Sequence, residues 1–338
     1  MLPKVVVTNR VHDEVLEFLR PRATLDANPD REPWGRDELL MRARDAKGLI
    51  TFMNDRVDDD FLGRCPDLGI IACALKGADN FDIDACTRRG VWLTVVPDLL
   101  TAPAAELAVG LMVALARRIG EGDRLVKGGS FGGWRPVLYG GSLDKATVGL
   151  IGAGRLGTAI ARRLGGFGCT VLYHDEAPLA PEQERSLALI RAPFEEVLRR
   201  SDFIVLATPL TGATHHLIDA GTLPRLKPGA YLVNICRGSV VDEVAVADAL
   251  ADGHLAGYAA DVFEMEDWAL PGRPRTIAPG LLAEGARTLF TPHLGSAVTR
   301  VRTDIEMAAA ASVIQYLDGE RPGGALNEPA AAEGHHPG

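Results

Sequence analysis

The sequence predicts an α/β protein whose parallel sheets are flanked by helices and shared between two domains. Three observations predict it. Short apolar runs alternate with helical stretches along nearly the whole chain. A length of 338 residues suits two domains at roughly 150 residues each. One apolar run, Thr147–Ile151, leads straight into a glycine-spaced turn and a helix, as a nucleotide-binding βαβ unit does.

In chain order the expected strands are Val5–Thr8, Gly48–Phe52, Ile70–Ala74, Val91–Thr94, Thr147–Ile151, Thr170–His174, Phe203–Ala207, Ala230–Asn234, Gly257–Ala260 and Thr288–Thr291. Between the fourth and fifth lies a helix, Ala104–Ile119, apolar nearly all round, with charge mainly at Glu106, Arg117 and Arg118. Such a helix is buried between domains or subunits. Pro103 suits its first turn, and the chain is expected to cross there into the second domain. The Gly-rich stretch 127–145, with Trp134 and Tyr139, and the stretch 268–278 read as long surface loops. From Asn327 the sequence turns to Ala, Glu, Pro and Gly and reads as a disordered tail; His335 and His336 lie in it as solvated residues.

Composition excludes several classes. Hydrophobic residues make up 47% and charged residues 24%, ordinary for a folded soluble protein. The net charge of −9 offers nothing to nucleic acid, and an anionic substrate would need a local basic pocket. No apolar run suits a membrane span, and the polar Asn9 and Arg10 arrive too early for a signal peptide. The five scattered cysteines form no C-x-x-C pair, which favours reduced thiols in the cytoplasm over disulfides or a metal site.

The strongest local signal is Gly152-Ala153-Gly154-Arg155-Leu156-Gly157 after a strand and before a helix. Gly152 permits the turn, Gly154 lets backbone approach a pyrophosphate, and Gly157 lets helix and strand pack closely. Phosphates would lie at the helix N-terminus. The next strand ends at Asp175, 18 residues after Gly157. A carboxylate there binds ribose hydroxyls and repels a 2′-phosphate; with Glu176 beside it, NAD is expected over NADP.

Further blocks follow: S-D-F-I-V-L-A-T-P-L up to Leu210, L-V-N-I-C-R-G-S-V-V-D-E from Leu232, A-A-D-V-F-E-M-E from Ala259, and T-P-H-L-G-S from Thr291. With the glycine motif, they resemble the D-2-hydroxyacid dehydrogenase family, over about Val5 to Asn327. The resemblance implies two Rossmann-like domains with a cleft between them: residues 1–98 plus 299–326 for substrate, 99–298 for NAD, and 327–338 as tail. It implies a homodimer in which the apolar helix forms the interface. It implies catalytic roles for Arg237, Glu266 and His293, a nicotinamide contact at Asp261, and cofactor contacts at Thr208, Pro209, Ile235 and Cys236. Arg237 offers a planar fork of donors to an anion, and His293 exchanges protons near neutral pH with Glu266 orienting its ring.

Within that family the chain resembles the phosphite (phosphonate) dehydrogenases. The features are Lys76-Gly77 in the loop after the third strand, Thr51-Phe52-Met53, Gly133-Trp134 with Tyr139, Phe263-Glu264-Met265-Glu266-Asp267-Trp268, and Gly295-Ser296-Ala297-Val298 leading to Arg302. The resemblance implies phosphite as the substrate, with Lys76, Gly77, Met53, Arg302, Trp134 and Tyr139 around it. Ala104 and Ile235 depart from that pattern, where threonine and proline are expected, and both bear on cofactor affinity. Two other readings stay open: a dehydrogenase of an organic 2-hydroxy or 2-keto acid, and an NADH-sensing binding protein on the same fold.

Overall fold

A computed structural model describes residues 1–329. The chain runs β1 (Lys4–Val7), α1 (Asp13–Leu19), β2 (Thr24–Ala27), α2 (Arg36–Ala43), β3 (Gly48–Thr51), α3 (Asp59–Arg64), β4 (Ile70–Cys73), α4 (Ile83–Arg88) and β5 (Trp92–Val95). It continues with α5 (Thr101–Ala116), α6 (Ile119–Lys127), β6 (Thr147–Ile151), α7 (Arg155–Leu164), β7 (Thr170–His174), α8 (Pro181–Leu187), β8 (Leu189–Arg191), α9 (Phe194–Arg200) and β9 (Phe203–Leu206). It ends with β10 (Ala230–Asn234), α10 (Glu243–Ala251), β11 (Leu255–Ala260), α11 (Pro279–Ala283), β12 (Thr288–Phe290) and α12 (Thr299–Leu317).

Two compact units result. The first takes Met1–Leu100, Trp268–Pro271 and the described residues from Val298 on; the second takes Thr101–Asp267 and Gly272–Ala297. The first unit is built on a five-stranded sheet, β2-β1-β3-β4-β5, parallel throughout. Its strands β3 and β4, Gly-Leu-Ile-Thr and Ile-Ile-Ala-Cys, are buried at every position, because helices cover both faces. Leu39, Phe61, Leu62 and Ala85 pack one face, from α2, α3 and α4. Val15 and Leu19 of α1 and Ile305, Ala309 and Val313 of α12 pack the other. Each such valine, leucine, isoleucine or phenylalanine side chain contributes roughly 1.5–3 kcal/mol by leaving water. The first unit therefore needs both ends of the described chain.

The second unit holds a seven-stranded parallel sheet, β12-β11-β10-β9-β6-β7-β8. Helices α5 and α7 cover one face, and α9, α10 and α11 the other. From β6 the chain builds outward through β7 and β8, then returns to β9 on the other side of β6. That reversal lies between β6 and β9, and it fixes where a ligand crevice opens at the carboxyl ends of the strands.

All ten expected strands are present, with ends moved by up to two residues. Two strands were not expected. β2 (Thr-Leu-Asp-Ala) sits at a sheet edge with no residue fully buried, and β8 has three residues, of which only Leu189 is buried. Neither position demands the apolar run that marks a central strand. Helix α5 begins three residues before Ala104 and stops at Ala116, and Arg118, in a left-handed conformation, separates it from α6. The tail expected from Asn327 needs correction at its start. The Asn327 side chain accepts a hydrogen bond from the Leu93 N–H at 2.8 Å and donates to the Val91 carbonyl at 2.9 Å, so it is pinned beside β5. His335 and His336 lie outside the described residues.

Candidate active site

The second unit carries a nucleotide cradle at its reversal point. Gly152 has φ +98°, and a Cβ there would lie 2.6 Å from the Ala207 carbonyl oxygen. A Cβ on Gly157 would lie 2.1 Å from the Gly152 carbonyl oxygen, so only glycine lets α7 approach the turn. Gly154 faces open space instead, and α7 starts without any side-chain cap. Compare α3, α4 and α10, whose first amides are taken by Asp58, Asp82 and Asp242. The uncapped amides of α7 suit a phosphate. Asp175 ends β7, and its carboxylate accepts from the Ala153 N–H at 2.7 Å, which ties the acid to the glycine turn. Arg155 and Leu156 form the first turn of α7. Thr208 follows β9 beside Gly152, and its hydroxyl is buried without a hydrogen-bond partner among the described residues, as expected where a ligand supplies one. Pro209 follows it, and Ile235 and Cys236 are buried at the end of β10.

The proposed catalytic residues occupy the ends of neighbouring strands in the same unit. Arg237 follows β10, half-buried, with Nη1 donating to the Cys236 carbonyl at 2.8 Å. A Cβ on Gly238 would lie 1.9 Å from the Phe263 carbonyl carbon, so this glycine lets the Arg237 loop touch the loop after β11. Asp267 secures that contact by accepting from the Ser239 N–H at 2.7 Å. On the β11 side, the Glu266 carboxylate accepts from the Phe263 N–H at 2.9 Å and lies 2.7 Å from His293 Nδ1. A carboxylate only accepts, so Nδ1 carries the proton and Nε2 is left as the basic nitrogen.

Asp261 is the anchor beneath His293. It is 2% exposed, and its carboxylate accepts from Thr291 Oγ1, the Leu294 N–H and the Gly295 N–H at 2.6, 2.6 and 2.8 Å. Burial pushes its carboxyl up from the ordinary range, and those three donors pull it back. The Asp261 carbonyl also receives the His293 N–H, holding His293 at φ +55°. The resemblance implies a nicotinamide contact at Asp261; within the chain its carboxylate holds the loop that carries His293.

In the first unit, Lys76 and Gly77 follow β4, and Met53 follows β3, its carbonyl held by Asn80 Nδ2 at 2.7 Å. Lys76 Nζ lies 2.7 Å from Asp98. The Arg302 guanidinium sits 5.7 Å from the centre of the Phe52 ring and 3.6 Å from Glu306. Its pKa is lowered by desolvation, which outweighs the attraction of Glu306. Trp134 and Tyr139, expected as pocket walls, are 85% and 76% exposed. This chain alone does not pack them into a wall. Glu306 escaped the sequence reading, because a lone acid outside a motif looks like any solvated carboxylate.

A family model described as the D-isomer specific 2-hydroxyacid dehydrogenase, NAD binding domain, matches residues 109–295. The chain belongs to the D-isomer specific 2-hydroxyacid dehydrogenases. Glyoxylate reductase from Thermococcus gammatolerans is 36% identical over 333 residues, 97% of each chain. The crystal structure of a protein from Thermus thermophilus superposes with a TM-score of 0.86 at 34% identity, covering 96% of this chain and 100% of that one. D-lactate dehydrogenase from Aquifex aeolicus, complexed with NAD and lactic acid, shares the fold with a TM-score of 0.82 at 24% identity, covering 96% of this chain and all of that one. The 2-hydroxyacid dehydrogenase described here is an NAD-dependent enzyme, and its glycine turn, uncapped α7 amides, Asp175 and orphan Thr208 hydroxyl fit that cofactor. No described helix is long and apolar enough to cross a membrane.

Proposed function

We propose that this dehydrogenase oxidises phosphite to phosphate. The observation that carries the reading is Arg302. Its guanidinium lies 3.6 Å from Glu306, beyond hydrogen-bond distance, so the contact leaves its donors available to an anion. Lys76, in the loop that resembles phosphite dehydrogenases, adds a second cation in the first unit. Phosphite is mostly dianionic near neutral pH, so it gains from two cations, Lys76 and Arg302, where a monocarboxylate is satisfied by one guanidinium fork. NAD, when bound, accepts the hydride. His293 Nε2 takes a proton from the attacking water as the new P–O bond forms and the P–H electron pair departs. Glu266 stabilises the imidazolium that results.

The second reading is reduction of a small 2-oxo acid, and the names of the relatives favour it: those at 34–36% identity are glyoxylate reductases. There His293 would donate its proton to the carbonyl oxygen, and Arg237 would hold the carboxylate. One pair of assays decides. Purified protein with NAD and phosphite is expected to produce NADH. Turnover of glyoxylate with NADH, and none of phosphite, transfers the function to the 2-oxo acid. Redox-dependent cofactor binding with neither turnover would make the protein a sensor.

We also propose a homodimer. Helix α6 exposes Ile119 and Val126, and Phe131, Trp134 and Tyr139 are exposed just beyond it. An apolar patch of this kind marks an interface. Light scattering at twice the monomer mass supports it, and a monomer at micromolar concentration refutes it.

A further inference from the structure

The first sheet has a reversal point of its own, between β1 and β3. The loops leaving those strands carry residues 8–12 and 52–55, and α12 brings Arg302 and Glu306 to the same place. Glu306 is an unusual residue for its position. Its side chain is 4% exposed, on a helix whose other buried residues are Ile305, Ala309, Ala310, Ser312 and Val313. Burying a carboxylate is costly unless it is bonded, and an apolar residue would serve packing better. Its Oε2 accepts from the His12 N–H at 3.0 Å and lies 2.8 Å from His12 Nδ1. Its Oε1 lies 3.6 Å from Arg302 Nη2, one helical turn earlier. The guanidinium is thus held between a fixed carboxylate and the Phe52 ring.

We propose that Glu306 is a positioning residue: tethered by His12, it aims the Arg302 guanidinium at the substrate anion. The contacts explain why both partners are present. His12 fixes Glu306 through backbone and ring, and the looser contact to Arg302 orients the guanidinium without consuming its donors. The inference rests on the reading that Arg302 binds the anion, and the test separates the two.

Steady-state kinetics with phosphite, and with glyoxylate in parallel, are measured for Glu306→Gln, Arg302→Ala and the double variant. Gln preserves volume and an acceptor for the His12 N–H but loses the ionic hold. The expected result is a rise of about ten-fold in KM for the anion, with kcat and KM for NAD within about two-fold, a misplacement effect. In the Arg302→Ala background the same change should have no further effect. An unchanged KM in Glu306→Gln, or an effect that persists without Arg302, overturns the positioning role. An unchanged KM in Arg302→Ala for both anions instead overturns the placing of Arg302 at the substrate. Should Glu306→Gln fail to fold, His12→Ala replaces it: it keeps the backbone bond, should raise KM in the same direction by a smaller factor, and should lose that effect in the Arg302→Ala background.

Discussion

The two sheets each reverse their strand order once, and the residues gathered at the two reversals are organised differently. At β6 and β9 in the second unit, functional groups are fixed by backbone and by one another: Asp175 to the glycine turn, Glu266 to His293, Asp261 to the loop of His293. At β1 and β3 in the first unit, the groups come from residues 8–12, 52–55 and 302–306, and the cation is matched to a carboxylate on its own helix. The difference teaches that the groups common to the family sit on a rigid backbone template, whereas the first unit's groups are charge pairs carried on a helix and loops. Substituting either set tests this division.

The largest effect should come from His293. His293→Ala removes the general base, and kcat should fall about 10²- to 10⁴-fold with little change in NAD binding. A kcat near that of the parent protein would make the second reversal as dispensable as a surface loop.

Next comes Asp55, buried beneath the first reversal, where it accepts from Thr8 Oγ1 and from the Phe52 N–H at 2.7 Å. Burial pushes its carboxyl up to about 6. The folded protein therefore holds this proton more tightly than the unfolded chain, so folding takes up a proton between about pH 4 and pH 6. This group's contribution to stability is full below about pH 4 and is lost as pH rises through 6, a swing of roughly 3 kcal/mol at most. Asp55→Asn keeps both bonds and removes the titration. Urea melts at pH 4.5 and pH 7.5 should show a smaller difference between the two pH values in the variant than in the parent. An identical pH dependence would mean that Asp55 ionises in the fold as freely as in the unfolded chain.

Lys76→Ala should raise KM for the anion about ten-fold and leave kcat nearly unchanged, since it removes charge from binding and not from proton transfer. An equal fall in kcat would move Lys76 into the chemistry and blur the contrast between the units. The smallest effect is expected at Asp175. Asp175→Ala should raise kcat/KM for NADP relative to NAD by several-fold, because the repulsion of a 2′-phosphate is removed while Glu176 remains. An unaltered ratio would leave NAD preference to some other group.

Legibility in the sequence followed the same division. The glycine turn, Asp175, Arg237, Glu266 and His293 stand in ordered motifs because each is tied to a strand end, and the central strands announce themselves by runs buried on both faces. The edge strands β2 and β8 did not, since a strand half in water needs no apolar run. Asn327 was misread because a polar residue near an Ala-Pro-Gly stretch gives no hint that its amide completes an edge beside β5. Glu306 and the pairing of Asp98 with Lys76 were invisible for a further reason: such a contact joins a carboxylate to a cation that lies 4 or 22 positions away in the chain, and many acids satisfy that spacing by chance. The exposure of Trp134 and Tyr139 likewise follows from packing that composition does not encode.

Helix α12 supplies half the cover for one face of the first sheet, yet it is made some 200 residues after that sheet's last strand. During synthesis the second unit has all its strands and helices before α12 emerges. The opening hundred residues meanwhile carry Val5, Val7, Ile50 and Ile70 on a face that only α1 covers, a condition in which nascent chains aggregate or recruit chaperones. The first unit of this enzyme is thus begun first and finished last, and a ribosome stalled before residue 299 would leave a complete nucleotide module joined to an unfinished partner.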